Sequence, residues 1–217
     1  YQPISIGNVS RSGKSWKIKN TQPTNDIIIC MSPDLKTKKV TGKNGTITIG
    51  YHRFSKSLLK VLSNDVEAII SHYSQSLGKV DSNLLILQSK RKKGGGYARL
   101  GGIFLAGLSE ESYLKKKEDY HRYLAHEIGH LWWHNAPSST WEDWLNESFA
   151  EYSSLCWIRK KFGQHAFLKR MEKKVKQSKN SSPIWDFDRN NDPNSSTILY
   201  NKGPVLLWKL KKRIGSV

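Results

Sequence analysis

The feature that most constrains this chain is a long run without cations. The 217 residues carry 36 Lys and Arg against 18 Asp and Glu, a formal charge of +18. Yet residues 123–158 contain no Lys or Arg at all. The same run holds Glu127, Glu142, Asp143, Glu147 and Glu151, and five of the eight tryptophans: Trp132, Trp133, Trp141, Trp144 and Trp157. The chain therefore reads as a basic exterior around one acidic, aromatic-rich segment, and any account of its chemistry has to begin there.

The excess charge itself suggests nucleic-acid binding. The basic clusters lie at residues 90–93, 115–117, 159–161, 169–179 and 209–213, and the glycine-rich loop 90–96 could contact phosphates. Lys dominates over Arg, however, and Arg is the preferred reader of bases. Nucleic-acid association is thus the weaker reading. Hydrophobic content of 37% is too high for a disordered basic tail. No apolar run approaches the ~20 residues of a membrane span, so the chain is expected to be soluble, with no transmembrane segment. Two cysteines, Cys30 and Cys156, cannot make a disulfide scaffold or a four-thiolate zinc site. The compartment stays open, export with a signal peptide already removed included.

Periodicity places the elements. Residues 1–50 read as strands and turns, with β-type runs at 16–19, 26–31 and 46–50 and a turn at 42–45. From residue 52, Phe54, Leu58, Leu62, Val66, Ile69 and Tyr73 follow helical spacing up to Gly78. Residues 84–87 and 103–108 read as buried strands. Helices are expected at 118–133, 143–161 and 164–177, a loop at 180–196, and a last helix from about residue 202. Strands followed by helices define an α+β body, divided into a β-rich segment 1–50 and a catalytic domain 51–217.

Within the cation-free run, His126-Glu-Ile-Gly-His130 is an HExxH pattern. Two histidines four apart share one helix face and can bind one metal, while Glu127 is placed to act on a water without being a ligand. Leu124, Ile128 and Leu131 form the opposite, core-facing stripe. Zinc suits imidazole and carboxylate, and a catalytic site needs a third ligand. His134 would place three ligands along one straight helix, where they cannot converge. A metzincin-type histidine would fall at residue 136, which is Ala136. There remains a carboxylate on the next helix, where Glu147 and Glu151 share a face; Leu145, Phe149 and Tyr152 are expected to turn to the core.

These motifs, HExxH followed by Trp144-Leu-Asn-Glu-Ser-Phe-Ala-Glu-Tyr152, closely resemble the paired motifs of the aminopeptidase N family of gluzincins. The resemblance implies a thermolysin-like catalytic domain holding one zinc ion on His126, His130 and Glu147, with Glu127 as general base. It implies Glu151 and Asn146 as polar supports behind the ligands. The linker between the motifs is two residues shorter than is usual in the family. Tyr200-Asn-Lys-Gly203 resembles the family's Y-x-K-G helix start, which implies that Tyr200 is the oxyanion-stabilising phenol.

The departure lies upstream. The family carries G-x-M-E-N, whose Glu binds the substrate's amino terminus. Here Gly96-Tyr-Ala-Arg-Leu100 occupies that place, so Arg99 stands where the Glu belongs, followed by Gly101 and Gly102. Arg99, Gly101 and Gly102 are the expected substrate-binding positions, and a cation at residue 99 argues against a standard aminopeptidase. The family also continues into a helical domain beyond the Tyr200 helix. A chain ending at Val217 is thus expected to be a shortened or minimal member with an open cleft. The expected function is zinc-dependent hydrolysis of peptide or protein substrates. The alternatives are a basic nucleic-acid-associated zinc protein and a catalytically silent relative.

Overall fold

The computed structural model describes residues 2–20, 28–43, 45–80, 83–91, 96–99 and 101–215, with the side chains of Tyr97 and Arg99 excepted. The chain forms two compact units, residues 1–117 and 118–217.

The first unit is centred on the apolar run at residues 84–87, which is buried on both faces. Strands β1 (Asn8–Ser12) and β2 (Ser15–Lys19) form a separate hairpin. The main sheet contains β3 (Lys36–Gly42), β4 (Gly45–Tyr51), β5 (Leu84–Gln88), β6 (Tyr97–Arg99) and β7 (Gly102–Leu105), in the order β3-β4-β5-β7-β6. Strands β4, β5 and β7 are parallel; β3 and β6 pair antiparallel at the two edges. Parallel neighbours need a crossover, and helix α1 (Lys56–Leu77) supplies it between β4 and β5. Ser55 caps α1 by accepting from the Leu58 N–H at 3.0 Å. The helix buries Leu58, Leu62, Val66, Ile69 and Tyr73, the stripe read from the sequence. In β5, Leu85 and Leu87 pack with Ile28, Ile4 and Ile6, while their alternating neighbours Leu84 and Ile86 are equally buried. That explains an unbroken apolar run rather than an alternating one.

The sequence reading departs from the structure in several places. Of the strand expected at 26–31, residues 28–31 carry one isolated bridge, Ile4 to Cys30, with Ile29 and Met31 exposed; residues 26 and 27 lie outside the described residues. Most of the basic loop, residues 92–95, also lies outside them. A short helix, α2 (Glu110–Lys115), was not signalled by any long periodicity; a Ser109/Ser112 capping box starts it. Strand β4 joins the first fifty residues to the rest of the sheet through β5.

In the second unit, α3 (Lys117–Gly129) stops four residues short of the expected end. Helix α4 (Trp144–Ser178) breaks at Gly163, whose φ of 91° lies in the left-handed region open to glycine. On a straight helix Glu151 and Lys174 would stand about 34 Å apart. Their charged groups are 2.7 Å apart, so the second half of α4 folds back on the first. Leu155, from the first half, packs with Phe167 and Met171 of the second and with Val205 of α6 (Gly203–Ile214). A single helical turn, α5 (Ser195–Thr197), and a π-helical turn, Ile198–Lys202, lead into α6. Leu145, expected in the core, is 40% exposed, whereas Leu155 is fully buried. Among the described residues, no helix is long and apolar enough to cross a membrane.

Candidate metal centre

Helix α3 delivers the HExxH residues at its last turn, where intrahelical partners run out. The chain tightens there: His130 and Leu131 donate their N–H groups to the carbonyls of Glu127 and Ile128. Gly129 sits against Ala150 of α4; a Cβ there would lie 3.2 Å from the Ala150 Cα, so a small residue lets the two helices approach. Residues 145–151 of α4 bring up two carboxylates, one turn apart, with different surroundings.

Glu147 faces the imidazoles. Its Oε2 lies 3.2 Å from His126 Nε2 and 3.6 Å from His130 Nε2, and the two Nε2 atoms are 3.3 Å apart. The opposite ring nitrogens have partners of their own. His130 Nδ1 donates to the Trp133 carbonyl at 2.9 Å, and His126 Nδ1 donates to Glu151 Oε2 at 3.1 Å. Three ligand-type atoms thus converge with both second nitrogens already engaged, and His126, His130 and Glu147 form a group that could hold a metal ion.

The chemistry fits zinc. With bonds of about 2.0–2.2 Å, ligand atoms at tetrahedral corners stand about 3.3–3.6 Å apart. Glu147 Oε2 and Glu151 Oε1 are both buried without a hydrogen-bond partner; Lys174 Nζ stands beside the second, whereas the first faces two imidazoles, a position that can take a cation. The titration behaviour makes the same demand. Burial would lower the His126 pKa, but the neighbouring carboxylates of Glu147 and Glu151 outweigh it and raise it to about 10. Burial would raise Glu147, but the imidazoles of His126 and His130 beside it hold it well below the usual carboxylate range. Positive charge is required where the three atoms meet, and a proton or a metal ion can supply it.

Glu151, by contrast, is neutralised by fixed cations. It is 1% exposed, and besides His126 it meets Arg122 Nη1 at Oε2 and Lys174 Nζ at Oε1, both at 2.7 Å. Burial pushes its pKa up, and Lys174 and Arg122 pull it far below normal. Glu127 is buried, and burial is the main reason its carboxyl is raised. Tyr200 lies in the π-helical turn, its ring 5.7 Å from that of His126. Its phenol is raised first by burial and then by the neighbouring Glu147.

The remaining expected positions have other partners. Asn146 grips the linker: its Nδ2 donates to the Ala136 carbonyl (3.0 Å) and its Oδ1 accepts from the Ala136 N–H (3.1 Å). It also donates to Asp143, whose other oxygen pairs with Arg189. Gly101 takes a φ of 75° in the turn between β6 and β7, and Gly102 packs where a Cβ would meet Ile28. Arg99 pairs with Gly102 in backbone register; its side chain lies outside the described part. Arg122, Lys174 and the Trp133 carbonyl are the contributors that the sequence reading missed. Arg122 precedes His126 by one helical turn and could have been found by that spacing; Lys174 reaches the site only because α4 folds back.

Known proteins give this arrangement a family. The peptidase family M1 domain matches residues 102–217, and the chain belongs to that family. No curated protein matches it in sequence. Its fold is similar to leukotriene A4 hydrolase from Saccharomyces cerevisiae, with TM-score 0.74 and 20% identity over 99% of this chain and 36% of that one. It is also similar to an M1 zinc metallopeptidase from Deinococcus radiodurans, with TM-score 0.69 and 14% identity over 99% of this chain and 50% of that one. The chain thus spans between about a third and a half of the structures it matches. The α+β gluzincin fold expected from the motifs is the fold observed.

Proposed function

We propose that the chain carries the catalytic centre of a zinc-dependent peptidase that hydrolyses peptide bonds. The observation that carries this is the convergence of His126 Nε2, His130 Nε2 and Glu147 Oε2 within 3.6 Å, beside a buried Glu127 and Tyr200. These three residues would hold one zinc ion. Bound zinc supplies Lewis acidity, which polarises a carbonyl and acidifies water.

The rest is the work of the chain. Glu127, its carboxyl raised by burial, takes a proton from the attacking water and passes it to the leaving amine. Tyr200 stays protonated, because burial and Glu147 push its phenol up, and donates a hydrogen bond to the developing oxyanion. Glu151 holds His126 through Nδ1 and the Trp133 carbonyl holds His130, so both rings keep Nε2 directed inward.

The substrate is a peptide or protein, and the centre is not that of a standard aminopeptidase. Arg99 occupies the position of the amine-binding Glu in the motif, and a cation there repels an ammonium group. Blocked or longer peptides are therefore cleaved in preference to aminoacyl anilides. Digestion of a peptide library with and without chelator, read by mass spectrometry, tests the activity. Chelator-sensitive internal cleavage supports the proposal. No cleavage by the zinc-loaded protein overturns it in favour of a silent relative, and rapid aminoacyl anilide hydrolysis overturns the Arg99 argument.

A further inference from the structure

We infer that Lys174 is a positioning residue that ties the imidazole side of the centre to the Tyr200 side; this rests on the peptidase reading above. Its side chain is only 12% exposed, and its ammonium makes two short contacts with different elements. One is the ion pair with Glu151 Oε1 at 2.7 Å; the other is a hydrogen bond donated to the Tyr200 backbone carbonyl at 2.6 Å. Burying an ammonium is costly unless it is paired and hydrogen-bonded, and here both conditions are met by groups adjoining the reaction centre.

The two contacts are unequal. Glu151 keeps Arg122 and His126 if Lys174 is removed. Tyr200 is more exposed to the loss. It sits in a π-helical turn, where the regular helical ladder is interrupted, and such turns often occur at functional sites. Two carbonyls of that turn are held by side chains: Ser148 Oγ donates to Leu199 O at 2.6 Å, and Lys174 holds Tyr200 O. Gly203 presses so closely on Ser148 that any Cβ would collide with it, which fixes the far end of the turn. Ser148 directly follows Glu147, so one tie runs from the first half of α4 and the other, through Lys174, from its folded-back half. Lys174 therefore sets where the Tyr200 hydroxyl stands relative to the imidazoles, acting on turnover through Tyr200 rather than on the metal through Glu151.

The test is a double-mutant cycle on the full chain. Lys174→Met is expected to lower kcat about tenfold with KM changed less than about twofold, and to lower kcat less than about twofold in a Tyr200→Phe background. Zinc affinity, measured separately by competition with a chromophoric chelator, is expected to fall much less than in Glu151→Gln. An unchanged kcat, an equal tenfold loss in the Tyr200→Phe background, or a zinc loss matching Glu151→Gln overturns the inference. Lys174→Gln gives the same comparison if the Met variant does not fold. A wild-type protein that binds zinc and cleaves peptides while the cycle is additive removes Lys174 alone. A wild-type protein without zinc or cleavage removes the peptidase reading, and this inference with it.

Discussion

Glu147 and Glu151 stand one helical turn apart on α4, are both carboxylates, and have both been drawn out of water, yet their environments are opposite. Around Glu151, one guanidinium, one ammonium and one imidazole satisfy the charge. Around Glu147 the ring nitrogens of His126 and His130 and the Tyr200 phenol approach, in place of fixed cations. A carboxylate neutralised by fixed cations can orient a neighbour but has no charge left for an ion. One facing two imidazoles without a fixed cation has that capacity. The difference separates a holding residue from a prospective ligand more sharply than spacing does, because both positions satisfy the spacing.

The largest expected effect breaks the pair apart. Glu147→Gln should weaken zinc binding by more than about a thousandfold, whereas Glu151→Gln should weaken it about 10- to 100-fold, the range for partners behind a ligand. Chelator competition measures both, and equal losses would erase the distinction. Tyr200→Phe should lower kcat by about 10²- to 10³-fold with zinc affinity nearly unchanged, as for loss of one oxyanion donor; single-turnover kinetics would show it. On the stability side, Leu155→Ala should cost about 2–5 kcal/mol in denaturant unfolding, as a fully buried site. Asn146→Ala, which frees the Ala136 linker, should cost about 1–3 kcal/mol without displacing zinc. Smallest is Leu145→Ala, expected within about 0.5 kcal/mol of wild type because the side chain is largely exposed.

What could be read in the sequence followed from short-range geometry. His126, His130 and Glu127 lie on one helical turn, so their mutual placement is dictated by the helix itself. The apolar stripe of α1 and the unbroken run in β5 follow from burial at fixed periods. The break at Gly163 was legible as a gap between two helices. Its consequence was not: that the second helix folds back and carries Lys174 to Glu151 depends on Phe167 and Met171 packing against Leu155. The cation-free run also meant something narrower than it first suggested. Cations do enter the region, from Arg122, Lys174 and Arg189 outside the run, but they pair with Glu151 and Asp143. Leu145 was misplaced because an aliphatic residue on a helix was read as core, when at the first turn of α4 it is 40% exposed although Ser148, one turn on, is buried.

The most direct measurement is the zinc content of wild type, Glu147→Gln, Glu151→Gln and Glu127→Gln after exposure to limiting zinc and gel filtration, by elemental analysis beside peptide cleavage. The account predicts close to one zinc per chain in wild type and Glu127→Gln, with cleavage only in wild type. It predicts intermediate occupancy in Glu151→Gln and almost none in Glu147→Gln. Full zinc occupancy in Glu147→Gln, or undiminished cleavage by Glu127→Gln, would contradict it.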